Sequence, residues 1–414
     1  SPVLIAETGG QNAMIVDSTA LAEQVCADVL NSAFDSAGQR CSALRILCVQ
    51  EDVADHMVKM IKGAMDELVV GNPIALDTDI GPVIDTEAQQ NLLAHINRMK
   101  GIAKSYHEIR PSENVNPDNA TFVAPIMFEL NGLGELQREV FGPVLHVVRY
   151  PADGLDKLID QINGKGYALT HGVHSRIDGT VEHIRSRIES GNVYVNRNIV
   201  GAVVGVQPFG GHGLSGTGPK AGGSFYLQRL SRLKEWTAPT LSKIGQVDED
   251  ALKRLETLLH GLPLPQSEKM AAAASLGQSR VRTLRKAESV LAGPTGERNV
   301  LSWHAPARVW LYGGSLAASF TALVSLASAG VQAVVLPDHP LAAYADRLDG
   351  LLAVTDKPEA AGISHVAALE PLPSARKQVL ANRDGALVRI LPSENGLDIL
   401  QVFEEISCSI NTTA

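Results

Sequence analysis

The 414 residues contain only four cysteines, Cys26, Cys41, Cys48 and Cys408. That is too few for a disulfide framework at this length, and none pairs with another Cys or a His at zinc-ligand spacing. The expectation is a reducing compartment such as the cytoplasm, and no metal. Positive charge is also in short supply: the net charge of −9 argues against a nucleic-acid surface. No secretory leader opens the chain. It starts at Ser1-Pro2 rather than at Met and runs straight into an expected strand over Val3–Ile5, which suggests a piece of a longer polypeptide. The most apolar stretch, Ala317 to Leu336, is interrupted by Ser319, Thr321, Ser325, Ser328, Gly330 and Gln332. A helix followed by a buried strand accounts for it better than a membrane span. Internal repeats of short period and low-complexity tracts are missing too. What is left, 45% apolar and 20% charged, is the composition of an ordinary globular protein long enough for two or three domains.

Residues 1–237 read as alternating strands and helices. The strand Ala13–Val16 ends at Asp17-Ser18-Thr19, any of which can cap a helix that stacks Leu21, Val25, Val29 and Ala33 on one stripe. A strand over 43–50 and a helix with Val53, Met57, Met60, Ile61, Ala64 and Leu68 inward follow. Further strands are expected over 121–130, 144–150, 169–174 and 193–196, with helices over 153–163 and 181–190. Strands separated by helices imply a mainly parallel sheet with sites at the carboxyl ends of its strands. Val200 to Gly223 is crowded with glycine and reads as a long functional loop, or as a structural bend beneath another subunit. Residues 238–299 read as a helical linker ending in the turn Gly293-Pro294-Thr295-Gly296. Residues 300–414 open with a strand, Gly313-Gly314-Ser315, a helix and a second strand. This is a Rossmann-like α/β domain whose dinucleotide signal is degenerate, and it is expected to be non-catalytic.

Two residues stand out chemically. Cys41 follows Gly38-Gln39-Arg40 and precedes Ser42, a polar and flexible setting, whereas Cys26 and Cys48 lie on apolar stripes. Arg40 is a cation able to favour the thiolate. Position alone leaves Cys41 between a nucleophile and a structural thiol. Glu7 lies in Glu7-Thr8-Gly9-Gly10 after the apolar Val3 to Ala6, where partial desolvation would make it a stronger base than a surface carboxylate. The interval of 34 residues between them equals one strand–helix excursion and return, so the two are free to meet. A thiol and a carboxylate base are the groups needed to make and hydrolyse a thioester. His171, His174 and His212 are scattered singly and receive no role.

Glu7-Thr8-Gly9-Gly10, Gly38-Gln39-Arg40-Cys41 and Glu139-Val140-Phe141-Gly142-Pro143-Val144, in that order, resemble three landmarks of the aldehyde dehydrogenase superfamily. The stretches Gly201–Gly211 and Ser215–Gly223, with Tyr194–Asn198 and Gly293–Asn299, are similar to the L-glutamate γ-semialdehyde (1-pyrroline-5-carboxylate) dehydrogenase part of bacterial bifunctional proline-utilization enzymes. The resemblance implies NAD-dependent oxidation of L-glutamate γ-semialdehyde to L-glutamate. Cys41 would be the nucleophile, and Glu7 the base for the deacylating water. Glu139 would hold the nicotinamide ribose and Phe141 would pack beside the nicotinamide. Ser42 and the backbone N–H groups of Gly201 and Ala202 would anchor the substrate carboxylate, with Phe209 on its aliphatic stem. Successive backbone amides in a glycine-rich turn suit a small carboxylate.

The same resemblance implies a homo-oligomer with a small-molecule substrate and leaves room for a parent lying peripherally on a membrane. The FAD-dependent proline dehydrogenase half and the cofactor domain would lie outside these residues, so the 414-residue chain alone is expected to show little NAD-linked activity. The rival readings are a cysteine acyl-transfer enzyme without a redox step, a different aldehyde substrate, and a non-catalytic lid or interaction piece.

Overall fold

A computed structural model describes residues 3–110, 120–231 and 236–413. The chain packs into two compact units, each assembled from separated stretches. One, here the thiol unit, comprises Glu7–Gly216, Ala292–Asn299 and Ser407–Ala414; the second comprises Ser1–Ala6, Thr217–Leu291 and Val300–Ile406. This division departs from the consecutive segments 1–237, 238–299 and 300–414, because stretches distant in sequence return to each unit.

In the thiol unit, the strands are β1 (Ala13–Val16), β2 (Ile46–Gln50), β3 (Ser105–Glu108), β4 (Ile126–Glu129), β5 (Val144–Tyr150), the short β6 (Tyr167–Ala168), β7 (Thr170–His174), β8 (Asn192–Val195) and the short β9 (His212–Gly213). The main sheet runs β8-β7-β1-β2-β5-β4-β3. Every pair in it is parallel except β3 with β4. β1 is buried at all four positions, as a strand covered on both faces must be. The covering helices are α1 (Ala22–Phe34), α2 (Glu51–Asp66), α3 (Thr86–Lys100), α4 (Leu155–Asn163) and α5 (Asp178–Arg187). α1 buries Val25, Cys26, Val29, Ala33 and Phe34, the expected stripe without Leu21, which is the N-cap and 43% exposed.

Several local expectations are corrected. Val3–Ile5 form no strand. None of Asp17, Ser18 and Thr19 caps α1: its N-cap is Leu21, and Asp17 Oδ1 instead accepts from the Thr19 N–H and Oγ1 at 2.8 and 2.6 Å. α3 is an additional helix, capped by Asp85, which accepts from the Ala88 N–H at 2.8 Å, with Leu92, Ile96 and Met99 inward. The strand expected over 121–130 shortens to β4 because Pro125 offers no N–H to a ladder.

The second unit begins its regular structure with α6 (Tyr226–Leu230), α7 (Glu249–Gly261) and α8 (Gln266–Arg282), and then β10 (Glu288–Leu291), so the helix expected to run on to Leu291 ends earlier. After the turn at Thr295-Gly296 comes β11 (Glu297–His304). A separate sheet then forms from β12 (Arg308–Tyr312), β13 (Gln332–Val335), β14 (Leu352–Val354), β15 (His365–Ala368) and β16 (Arg389–Pro392), in the order β14-β13-β12-β15-β16. All its pairs are parallel, with α9 (Leu316–Ser328) and α10 (Ser374–Ala381) as crossovers. The apolar stretch read as helix plus strand is thus α9 and β13, and no helix among the described residues is long and apolar enough to cross a membrane. The last strand is β17 (Glu404–Asn411), whose Ser407–Ile410 pair in parallel with β8 inside the thiol unit.

Candidate active site

The Cys41 turn is made by its backbone. After α1, Ser36, Ala37 and Gly38 adopt φ of 55°, 52° and 65° in succession. At Gly38 this conformation is compulsory for glycine, since a Cβ would stand 2.2 Å from the Gly142 carbonyl oxygen. The chain then reaches Cys41, which is half-buried, at the entrance to β2. Backbone N–H groups of Ser42 and of Cys41 itself point at the sulfur. Asn12, just before β1, fixes the turn from below: its Nδ2 donates to the Cys41 and Ala43 carbonyls at 2.7 and 2.8 Å. Its Oδ1 accepts from the Thr170 N–H at 3.1 Å. Ser42 is buried, and its carbonyl accepts from Thr170 Oγ1 at 3.1 Å.

Arg45 organises the rest, and sequence reading passed over it as part of an apolar strand. It is 1% exposed and donates to the carbonyls of Gly38 (2.7 Å), Gly142 (3.1 Å) and Arg40 (3.1 Å). Its guanidinium lies 3.6 Å from Glu139 Oε1 and 5.2 Å from the centroid of the Phe141 ring. Burial pulls its pKa down to about 10, so it remains charged at neutral pH. The signal was available: a lone cation between Leu44 and Ile46 needs an internal set of acceptors. The backbone N–H of Gly10 donates to Glu139, and Gly9 (φ +136°) leaves 2.1 Å between a Cβ and Glu139 Oε2. Burial raises the Glu139 pKa against the opposing pull of Arg45 and the Gly10 N–H. The three motifs Glu7–Gly10, Gly38–Cys41 and Glu139–Gly142 therefore meet around one buried guanidinium.

Glu7 makes a single bridge with Gly216, and Thr8 holds the same stretch through Ser215 O (3.2 Å) and Leu214 O (2.6 Å). Glu7 is exposed, as are Val3 and Leu4 before it, so the desolvation expected from that apolar run does not occur. Its charge is nevertheless felt at the thiol. Burial first, then the Glu7 carboxylate, raise the Cys41 pKa, with Glu139 adding to them and the Ser42 and Cys41 N–H groups opposing. Arg40 does not supply the thiolate-favouring charge, because its Nε is turned to Ser36 Oγ at 3.1 Å. A raised pKa means less thiolate at neutral pH than a free thiol of pKa about 8.5 carries. Alkylation of the Cys41 peptide by iodoacetamide should accordingly climb to a midpoint above about 8.5. Glu7→Gln should speed it at pH 7.5, because the carboxylate that opposes the thiolate is then gone. Mass spectrometry of that peptide reads both, and a Glu7→Gln rate unchanged or slower contradicts the coupling. Cys48 and Cys408, pushed up to about 12 and about 11 by burial, should stay unlabelled.

The glycine-rich loop starts beside this turn. Ile199 N–H donates to Ser32 Oγ at 3.1 Å, and Leu44 N–H donates to Ser32 O at 2.8 Å, so one residue of α1 carries both segments. Beyond it Gly201 is exposed with φ +77°, while Ala202 and Phe209 are half-buried. Gln207 pins the loop, accepting from the Val203 N–H at 3.1 Å and donating to Glu297 Oε1 at 2.9 Å and Ser409 Oγ at 3.0 Å. Ser32 and Gln207 were not singled out from sequence, and nothing local distinguishes them there.

Beside Glu139 a cleft of about 400 Å³ opens, lined by Asp85, Leu92, His95, Arg138, Glu139 and Phe141. Phe141 is 46% exposed, and Glu139 Oε1 has no hydrogen-bond partner among the described residues. An aromatic face beside a carboxylate suits a ring carrying a sugar hydroxyl. His171 and His174 are buried, and desolvation takes their pKa values down to about 3 and about 4, neutral at physiological pH. Among the described residues no group of His, Cys, Asp and Glu could hold a metal ion.

Bifunctional protein PutA of Escherichia coli (strain K12) is 44% identical over 99% of the chain and 33% of its own length. A solved PutA from Corynebacterium freiburgense, 24% identical, shares the fold with a TM-score of 0.73 over 98% of this chain and 39% of that one. A Thermus 1-pyrroline-5-carboxylate dehydrogenase solved with bound NAD is 34% identical, with a TM-score of 0.50 over 54% of this chain and 43% of that one. The chain spans 26% and 33% of the length of the first two curated relatives it matches. Residues 2–236, which include the thiol turn, the Glu139 motif and the glycine-rich loop, match the aldehyde dehydrogenase family, and the chain belongs to that family.

Proposed function

We propose that the thiol unit oxidises L-glutamate γ-semialdehyde to L-glutamate within a longer polypeptide, with NAD as the cofactor. The observation that carries this reading is the meeting of the Glu7, Cys41 and Glu139 motifs around Arg45. The Cys41 thiol gives up its proton to solvent, and the sulfur adds to the aldehyde carbon as thiolate. The Cys41 backbone N–H holds part of the negative charge that develops on oxygen. Bound NAD would supply the acceptor for the hydride of this carbon. The Cys41 thioester is then cleaved by a water molecule whose proton passes to the Glu7 carboxylate, and the C–S bond breaks to release the Cys41 thiolate and the acid. Glu139 and Phe141 would hold the cofactor's ribose and ring from the cleft. Ser42, with the N–H groups of Gly201 and Ala202, would bind the substrate carboxylate, and Phe209 would cover its methylene stem.

The assignment of residues 1–237 as catalytic, 238–299 as connecting and 300–414 as non-catalytic belongs to the same reading, as do a homo-oligomer and a cytoplasmic location. The E. coli relative named as bifunctional and the Thermus relative named for 1-pyrroline-5-carboxylate support the choice of substrate.

Glu7→Gln in the full-length enzyme tests the base. Hydride transfer should survive and hydrolysis should slow by about 10²- to 10⁴-fold, giving a burst of NADH close to one per active site and then a slow phase. An unchanged steady state would remove Glu7 from the mechanism.

A further inference from the structure

The root of the glycine-rich loop is carried by one stripe of α1. Gln24, Asp28 and Ser32 are spaced four apart, so their side chains leave the helix on the same face. Gln24 Nε2 donates to the Asn196 carbonyl at 2.7 Å, Asp28 accepts from the Asn198 N–H, and Ser32 Oγ accepts from the Ile199 N–H at 3.1 Å. Asn196, in the left-handed region at φ 52°, is the point at which the chain leaves β8 for the loop. From the other side β7 ends in His174, whose ring donates to the Arg197 carbonyl. Asp28 and His174 thus hold adjacent residues of the same root.

The two also face each other. Asp28 Oδ2 lies 3.5 Å from His174 Nε2, with the side chains 14% and 1% exposed. Both atoms are shut from solvent, and neither has a hydrogen-bond partner among the described residues. Because Nε2 is unpartnered, the nitrogen that donates to the Arg197 carbonyl is Nδ1, and Nε2 of the neutral ring is a bare lone pair. An ionised carboxylate likewise offers only acceptors. Two buried acceptors opposed in this way lack the one donor that would join them, and a single proton from solvent supplies it. Burial raises the Asp28 pKa to about 6, against the opposing pull of the Asn198 N–H and of Arg197. Arg197, the charged group that bears on Asp28 from the segment after β8, is itself paired with Glu297. Burial keeps His174 neutral above about 4. Below about pH 6 the proton therefore resides on Asp28, where Oδ2–H can donate to Nε2, and above it the proton leaves.

We propose that Asp28 and His174 share one proton, and that this proton tightens the root of the glycine-rich loop by joining α1 to β7, which makes Asp28 a positioning residue for the loop. The consequence for catalysis rests on the reading of Gly201 and Ala202 as the carboxylate anchor: the aldehyde binds better with the pair protonated. Asp28→Asn in the full-length enzyme tests both, because the amide keeps an acceptor for the Asn198 N–H and gives His174 a permanent donor. Hydrogen–deuterium exchange, corrected for intrinsic rates, should find peptides over 196–211 more protected at pH 5 than at pH 8 in the wild type, and equally protected at both in Asp28→Asn. At pH 8 the KM of the variant for the aldehyde should lie at least about twofold below wild type with kcat unchanged, and at pH 5 the two should agree. Comparing the two enzymes at each pH cancels the substrate's own equilibria. Should circular dichroism show Asp28→Asn unfolded, His174→Gln decides: its amide donates to Asp28 directly, so the pH dependence of exchange should vanish. Exchange that responds as expected with an unchanged KM upholds the pair and rejects the loop as the anchor. Wild-type exchange over 196–211 that is equal at the two pH values, or a pH dependence retained in a folded variant, overturns the proposal.

Discussion

Cys41→Ser in the full-length enzyme is expected to lower aldehyde oxidation by at least about 10³-fold while leaving NAD binding intact. The replacement changes one atom. Its carbonyl still accepts from Asn12 at 2.7 Å, and the turn that begins at Gly38 is untouched. A serine hydroxyl in this place has a carboxylate near it but no group that would ionise it, and an alcohol is a far poorer nucleophile than a thiolate at neutral pH. Stopped-flow NADH formation should show neither burst nor steady state, while NAD titration of the same variant should match wild type. Residual turnover within tenfold of wild type would mean that the sulfur is not the attacking atom.

The second large effect concerns stability and lies at Arg45. Arg45→Met removes the donor to three carbonyls, those of Gly38, Arg40 and Gly142, and strips Glu139 of its ion pair. Truncating one member of a buried charge pair costs about 3–5 kcal/mol. For a unit of this size that corresponds to a midpoint lowered by roughly 6–20 °C. Arg45→Lys should recover only part of the loss, because a single ammonium cannot span acceptors that the planar guanidinium reaches at once. Differential scanning fluorimetry reads both variants, and Cys41 alkylation reads whether the turn has moved. A midpoint within about 2 °C of wild type for Arg45→Met would show that the surrounding carbonyls find other donors.

Much of this framework is legible in the sequence. β1 is a continuous apolar run, β5 is a mainly apolar one interrupted by His146 and Arg149, α1 shows its buried stripe in the spacing of Val25, Val29 and Ala33, and Gly313-Gly314-Ser315 marks the turn between β12 and α9. The glycines of the two motif turns are explained by distances that leave no room for a Cβ at Gly9 and Gly38. What stayed hidden depends on partners far along the chain. α3 has a polar majority, and its inward face of Leu92, Ile96 and Met99 matters only once it packs on the sheet. The pairing of Ser407–Ile410 with β8 cannot be read from either segment alone. The Arg45 acceptors are all carbonyls, which the residue types of Gly38, Arg40 and Gly142 do not advertise. The exposure of Glu7 is hidden for the opposite reason: the apolar run before it suggests cover, although Val3 and Leu4 are themselves 48% and 56% exposed.

Sulfur attack with carboxylate-assisted release from one half-buried turn can be caught in the act. The full-length Glu7→Gln enzyme, mixed with NAD and glutamate semialdehyde and quenched in acid, should carry the γ-glutamyl acyl group on the Cys41 peptide. Cys26, Cys48 and Cys408, all buried, should carry none. An acyl group on any other residue, or none on Cys41 after a full burst of NADH, would contradict the assignment.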